Sequence, residues 1–225
     1  MRERIFTQDH NVTGFRGTIE VYLYSLFASL KKVTKDYIRY THYTSDTMNN
    51  KSKEEESHVE RVFAYELYRQ WCDNEIIKAD TRLVINAEIP KQLVDCEDDA
   101  HLYYPDMVLH LGQNASKGNL IVCEFKRKDY VDSHPDEMQN DIKKLKHYID
   151  DGTKAKNIDD WEPFKIGVFV MVVKFLKNEV FSVKMIEQYL DQEIRGYCDD
   201  IKKRIICVVY DGEELKYATL KDITQ

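Results

Sequence analysis

Residues 103–128 constrain this chain more than any other stretch. They read YYPDMVLHLG, then QNASKGN, then LIVCEFKRK. The first run has strand character. In the second, Leu120, Ile121, Val122 and Cys123 form an apolar block with the length and composition of a buried strand. The link from Gly112 to Asn119 is rich in Gly, Asn and Ser, so the pair reads as a β-hairpin. Asp106 and Glu124 each lie nine residues from Ala115. A hairpin folded symmetrically about Ala115 sets them opposite each other, with Cβ atoms roughly 5 Å apart. Glu124 and Lys126 are two residues apart on one strand and share a face.

Two carboxylates and an ammonium at the edge of a core need a physical reason. Paired buried carboxylates repel, and one takes up a proton unless a cation compensates them. Mg²⁺ suits such a place, since it prefers hard oxygen ligands, one or two carboxylates and retained waters. Lys126 beside it would orient a water, or deprotonate one if burial and the ion's charge lower the lysine's pKa. The chemistry that fits is attack of a metal-activated water on a phosphodiester.

A PD dipeptide and an ExK tripeptide are both common, and each occurs twice in this chain. Pro135-Asp136 follows Ser133 and opens a helical stretch, so it reads as an N-cap and first-turn signal. Glu214-Leu215-Lys216 follows Asp211-Gly212 and reads as the exposed return strand of a terminal hairpin. Only the copies on opposed strands, with an apolar block just before Glu124, point to chemistry.

In these residues the chain resembles the PD-(D/E)xK nuclease superfamily, which has the restriction-endonuclease-like fold. Asp106 matches the Asp of the PD motif, and Glu124-Phe125-Lys126 matches (D/E)xK. The resemblance spans about residues 55–176 and implies an α/β (α+β) core, a central mixed sheet of about four to five strands flanked by helices. It implies a nuclease acting on DNA with Mg²⁺ or Mn²⁺. Asp106, Glu124 and the Phe125 backbone carbonyl would be the metal ligands, and Lys126 would position or activate the water. The family's upstream helical Glu falls on SHVERVFAYELYRQW, residues 57–71, where Glu60 begins the apolar face. Glu56, Glu66 and Glu88 are weaker matches. Glu60 would act through a metal-bound water or a second metal. Its bland reading is a first-turn acid favouring the helix dipole. The family's QxxxY pattern falls on residues 144–148, with Lys144 in place of Gln and Tyr148 retained. Lys128, Lys144 and Tyr148 are the expected contacts to substrate phosphate. Lys144 is alternatively a bridge to the carboxylates, or a solvated lysine beside Lys143 and Lys146. Asp141, Lys144, Leu145 and Tyr148 share one helix face.

Composition bounds these readings. The chain has 225 residues and a formal charge of −7, which disfavours a strong nonspecific nucleic-acid binder. Lys126-Arg127-Lys128 and Lys143, Lys144 and Lys146 nevertheless cluster near the proposed site, a potential phosphate surface. Lys202-Lys203-Arg204 reads as the basic end of a helix. Cys72, Cys96, Cys123, Cys198 and Cys207 are odd in number with no CxxC spacing, against structural zinc or a disulfide framework. No apolar run reaches transmembrane length, and MRERIFTQDH lacks the apolar segment of a signal peptide. A reducing cytoplasm, with no membrane partner, is the expected setting. No Gly-rich phosphate loop and no GxSxG motif is present, which sets aside P-loop nucleotide hydrolysis and a serine hydrolase.

The pattern predicts residues 1–50 as a helical segment packing on or extending the core, and 51–225 as the nuclease-like domain. A helix is predicted over 20–40, an exposed linker over 44–57, then helix 57–72 and strands 82–89, 103–111 and 119–127. Helix 135–151 follows, then a central strand within 165–176, helix 182–203 and a hairpin near 205–219. Tyr22, Tyr24, Tyr37, Tyr40 and Tyr43 are better read as packing residues than as a base-stacking surface. The amphipathic first helix suits a homodimer. His110 shares a predicted strand face with Asp106 but is better read as structural. Two further function classes stay open: a catalytically inactive nuclease-like module binding nucleic acid or a protein partner, and a self-associating protein built on the Tyr-rich N-terminal helix.

Overall fold

In the computed structural model, the residues described are 4–6, 18–38, 53–87, 105–112, 118–150, 162–174 and 180–225. Among them the chain runs β1 (Arg4–Ile5), α1 (Thr18–Leu30), α2 (Lys35–Ile38), α3 (Lys53–Cys72), α4 (Glu75–Ala79), β2 (Leu83–Ala87), β3 (Met107–Leu111) and β4 (Asn119–Arg127). It continues through α5 (Lys128–Val131), α6 (Pro135–Ile149), β5 (Ile166–Val172), α7 (Lys184–Glu187), α8 (Gln192–Arg195) and α9 (Asp199–Arg204). It ends with β6 (Ile205–Tyr210), β7 (Leu215–Thr219) and α10 (Leu220–Ile223).

One mixed sheet orders the strands β1-β7-β6-β5-β4-β3-β2. Chain connectivity explains the order. β2–β3, β3–β4 and β6–β7 are antiparallel, the last two joined by short links, whereas the helical crossovers β4-α6-β5 and β5-α7-α8-α9-β6 make β4, β5 and β6 parallel. β5 and β6 are buried along their whole length, as unbroken apolar runs require when both faces are covered. The sheet is larger than the four to five strands expected. The terminal hairpin joins the same sheet beside β5, and β1 adds an edge to β7. β7 is therefore an internal strand and not an exposed return.

Alternation along the strands feeds two cores. Cys123, Phe125, Val168 and Val170 pack with Leu23, Leu26 and Phe27 of α1 and with Phe63, Leu67 and Trp71 of α3. Val122, Phe169 and Met171 pack with Met138, Ile142 and Leu145 of α6 and with the helices that follow β5. A Cβ on Gly167 would lie 3.2 Å from the Leu145 Cβ, so this glycine lets α6 settle close against β5. A polar network fixes α1 to α3. The Trp71 indole donates to Ser25 Oγ at 2.8 Å, and Asn74 Nδ2 reaches both the Ser25 carbonyl and Ser29 Oγ at 3.3 Å. The apolar face of α1 is thus consumed inside the chain.

Two predicted helices are broken. The 20–40 helix stops at Leu30, where i→i+3 bonds from Lys32 and Val33 close it, and the Val33 carbonyl accepts the buried Tyr210 hydroxyl at 2.7 Å. The 182–203 helix is three short ones. Asp191 caps α8 by accepting from Ile194 N–H at 2.8 Å, and the Arg195 guanidinium donates to the Glu187 and Leu190 carbonyls. Strand 103–111 begins at Met107; residues 103 and 104 lie outside the described set, as do Glu88, Cys96 and most of the predicted linker. Residues 53–57 of that linker are the first turns of α3.

Candidate active site

The site forms where β4 outlasts its neighbour. The β3–β4 pairs are Met107↔Cys123, Val108↔Val122 and Leu109↔Ile121, the register of a hairpin symmetric about residue 115, with an irregularity between Leu109 and His110. β3 starts just after Pro105, and β4 continues to Arg127. One more step of the register sets Asp106 against Glu124. There Asp106 supplies the acceptor that a further β3 residue would have provided: its Oδ2 takes the Phe125 N–H at 2.7 Å. An antiparallel strand directs a residue's N–H and C=O to the same side, so the Phe125 carbonyl also faces Asp106, past the last β3–β4 pair. The place is the C-terminal end of β4, at the border of the parallel block, where open α/β sheets tend to bind ligands.

Glu124 follows the buried Cys123 and is only 1% exposed, on the strand face that Val122 turns toward α6. Its Oε1 is buried and has no hydrogen-bond partner among the described residues. Lys126 bridges the two layers, with Nζ 3.2 Å from Glu60 Oε1 of α3 and 3.2 Å from Asp141 Oδ2 of α6. The contact to Asp141 is an ion pair without hydrogen-bond alignment, since Oδ2 has charge nearby but no bonded donor. Asp141 is 2% exposed, and its Oδ1 lies 2.6 Å from Lys144 Nζ. Glu60 and Lys126 open on a surface cleft lined also by Tyr37, Ile38, Phe63 and Arg127.

Four carboxylates and two ammoniums therefore share this corner, with a formal charge of −2 when all are ionised. The protonation equilibria register that excess. Burial, reinforced by Asp106 and Asp141, pushes Glu124 well above the usual carboxylate range. Burial lifts Asp106 to about 6, with Lys126 opposing and Asp141 adding. Burial lifts Glu60 to about 7, again against Lys126 and with Asp106 and Asp141. Burial alone would lower Lys126, but Asp141, Glu60 and Asp106 outweigh it and hold the ammonium above its ordinary range. This is opposite to the lowered pKa that a lysine base needs. Lys144 follows the same pattern, with Glu124 and Asp141 overcoming burial.

The sequence-predicted residues separate into two groups. Asp106, Glu124, Lys126 and Glu60 come together, and Lys144 reaches the cluster through Asp141. Lys128 does not: its Nζ is 2.9 Å from Asp132 Oδ2, and the Tyr189 hydroxyl donates to the same carboxylate. Tyr148 packs edge-on against Phe164, ring centroids 6.2 Å apart. His110 lies at the far end of β3, within hydrogen-bond reach of Asn86 and the Leu111 carbonyl. Glu66 is bound to Arg69 and Gln70. The basic cluster is neutralised internally: Lys143 pairs with Asp191 and Glu193, Lys146 with Asp150, and Arg127 with Asp129. Asp141 was not among the predicted site residues. Its signal was its position three residues before Lys144 on the same helix face.

Among the described residues no three His, Cys, Asp or Glu side chains form a ready-made metal cage. Two carboxylates and a carbonyl are still a donor set that Mg²⁺ or Mn²⁺ accepts with waters completing the shell. The unpartnered Glu124 oxygen and the formal charge of −2 fit a divalent ion. No family model, no curated protein and no solved structure matches the chain. Among the described residues no helix is long and apolar enough to cross a membrane.

Proposed function

We propose that the chain is a divalent-metal-dependent nuclease of the PD-(D/E)xK type that hydrolyses phosphodiester bonds, with DNA as its substrate. The observation that carries this reading is the buried, unpartnered Glu124 oxygen beside Asp106, in a corner whose acids exceed its bases by two charges. A structural ion-pair network has no use for that excess, because each uncompensated buried carboxylate destabilises the fold.

Asp106, Glu124 and the Phe125 carbonyl would hold Mg²⁺ or Mn²⁺. When bound, such an ion polarises a water and offsets charge developing on the phosphate. Lys126, kept protonated by Asp141 and Glu60, donates hydrogen bonds to orient a water or a phosphate oxygen and does not accept the proton. Glu60, lining the cleft and lifted to about 7, is the group poised to take a proton near neutral pH. The substrate enters from the cleft side, where Tyr37 and Arg127 flank Glu60 and Lys126.

One observation favours the inactive-module alternative: Lys126, Arg127, Lys128, Lys143, Lys144 and Lys146 are each paired with a carboxylate of this chain. Titration calorimetry with Mg²⁺ and Mn²⁺ separates the readings. The nuclease reading expects binding by the wild type that Asp106→Ala with Glu124→Ala abolishes. Equal binding by both proteins would remove these carboxylates from any metal site.

A further inference from the structure

Of the two acids that hold Lys126, one opens on the cleft and the other does not. Glu60 lines the cleft, with its side chain 23% exposed; Asp141 is 2% exposed and stands behind the lining. Both carboxylates lie 3.2 Å from Lys126 Nζ. Alternation along β4 puts Val122, Glu124 and Lys126 on the α6 side, so Asp141 meets Lys126 on its own face and Glu60 meets it past the end of the strand. The Asp141 carboxylate has a firm base. Met138, Ile142 and Leu145 beside it on α6 are fully buried against the sheet, where Gly167 lets Leu145 come close. Its Oδ1 accepts from Lys144 Nζ at 2.6 Å, which braces the carboxylate from one side and leaves Oδ2 to face Lys126. That second contact is an ion pair with no donor aligned on the oxygen, so it uses none of the ammonium's hydrogens. An ammonium has three N–H groups, and Glu60 accepts one of them. Two remain for a water or a phosphate oxygen.

We infer that Asp141 is a positioning residue of the cleavage reaction: from α6, behind the cleft, it fixes where the Lys126 ammonium sits and leaves its N–H groups for the reacting water or phosphate. The inference rests on the nuclease reading above and adds a residue to it. Two acids on one lysine then have separate tasks. Glu60 faces the cleft, where water and substrate compete for its contact with Lys126. Asp141 is shielded from that competition, so the ammonium keeps its place when the Glu60 contact is lost. Rate depends steeply on such placement: an error of about 1 Å can cost on the order of a hundredfold. Lys144 braces Asp141 on its other oxygen and acts through it, one step further from the substrate.

The test uses the full chain with Mn²⁺ and single-stranded and duplex DNA. Cleavage kcat and KM are measured for wild type, Asp141→Asn and Asp141→Glu, with Mn²⁺ affinity by calorimetry and melting temperature alongside. Asn keeps the shape and removes the charge; Glu keeps the charge and shifts it by one carbon. Asp141→Asn is expected to lower kcat about tenfold to a hundredfold, with KM and Mn²⁺ affinity within about twofold of wild type. Asp141→Glu is expected to recover part of that loss. A merely structural residue would lower the melting temperature and leave the kcat of the folded protein in place. If Asp141→Asn does not fold, Asp141→Glu carries the test: kcat below wild type at unchanged Mn²⁺ affinity supports the role, and wild-type kcat overturns it. A folded Asp141→Asn with wild-type kcat overturns the positioning role and leaves the nuclease reading standing. So does a fall in Mn²⁺ affinity large enough to account for the lost activity, which would place Asp141 at the metal. A wild type that cleaves neither DNA removes the nuclease reading and this inference together.

Discussion

Asp106→Asn isolates the electrostatic cost of building this corner. Asn keeps an oxygen for the Phe125 N–H, now received at 2.7 Å, and changes little in volume. What it removes is a carboxyl lifted by burial from its ordinary 3.8 to about 6. The sign follows from proton binding. Between those two values the folded protein holds a proton that the unfolded chain has released, so stability falls as pH rises through this window and stays reduced above it. At about 1.4 kcal/mol per pKa unit the full loss is at most ~3 kcal/mol, and about 2 kcal/mol is a reasonable figure after solvent screening. For a chain of this length each kcal/mol moves the melting temperature by about 2–4 °C, so Asp106→Asn should melt about 4–8 °C higher at pH 8 in chelator. The gain should shrink as pH falls below 6 and approach zero only below about pH 3, where both states are protonated. Relief of Glu124 and Glu60, both of which Asp106 pushes upward, adds to it. Thermal melts at four or five pH values in EDTA decide the matter. A variant that melts at or below wild type at pH 8, or gains most at pH 4, refutes the reasoning.

Other outcomes follow from the same geometry. Lys126→Met leaves Glu60 and Asp141 without their shared cation and should cost about 3–5 kcal/mol, more at pH 8 than at pH 5, read by denaturant unfolding at both values. Mg²⁺ or Mn²⁺ should raise the wild-type melting temperature more at pH 8 than at pH 5.5, because protons held by Asp106 and Glu60 compete with the ion; a pH-independent rise would speak against binding at these acids. Gly167→Val would force a side chain into Leu145 and push α6 outward, costing about 1–3 kcal/mol, read by denaturant unfolding.

The hairpin was legible because its information is local. An apolar block, a Gly/Asn/Ser link and a two-residue side-chain period together specify a register, and the pairs Met107↔Cys123 through Leu109↔Ile121 follow it. Glu60 could be picked out by its place at the start of an apolar helix face. Asp141 could not, since nothing local distinguishes a helix acid that will meet Lys126 across the end of a sheet from one that stays in water. The break after Leu30 was hidden for a similar reason: the Val33 carbonyl is claimed by Tyr210, 177 residues further on. In the 182–203 region the periodicity was real, but Asp191 and Arg195 offer the backbone competing side-chain bonds that divide one helix into three. Lys128 and Lys143 looked like phosphate ligands in a basic run; Asp132 in one case, and Asp191 with Glu193 in the other, neutralise them.

The central claim is that Asp106 and Glu124 serve a metal-dependent cleavage reaction. Its most direct test is incubation of single-stranded and duplex DNA with the wild type and with Asp106→Ala, each with Mn²⁺, Mg²⁺ or chelator, followed by resolution of the products. The account predicts cleavage by wild type with either metal, none in chelator, and none by a folded Asp106→Ala. Cleavage that survives the substitution, or a wild type that binds Mn²⁺ and leaves every DNA intact, would contradict it.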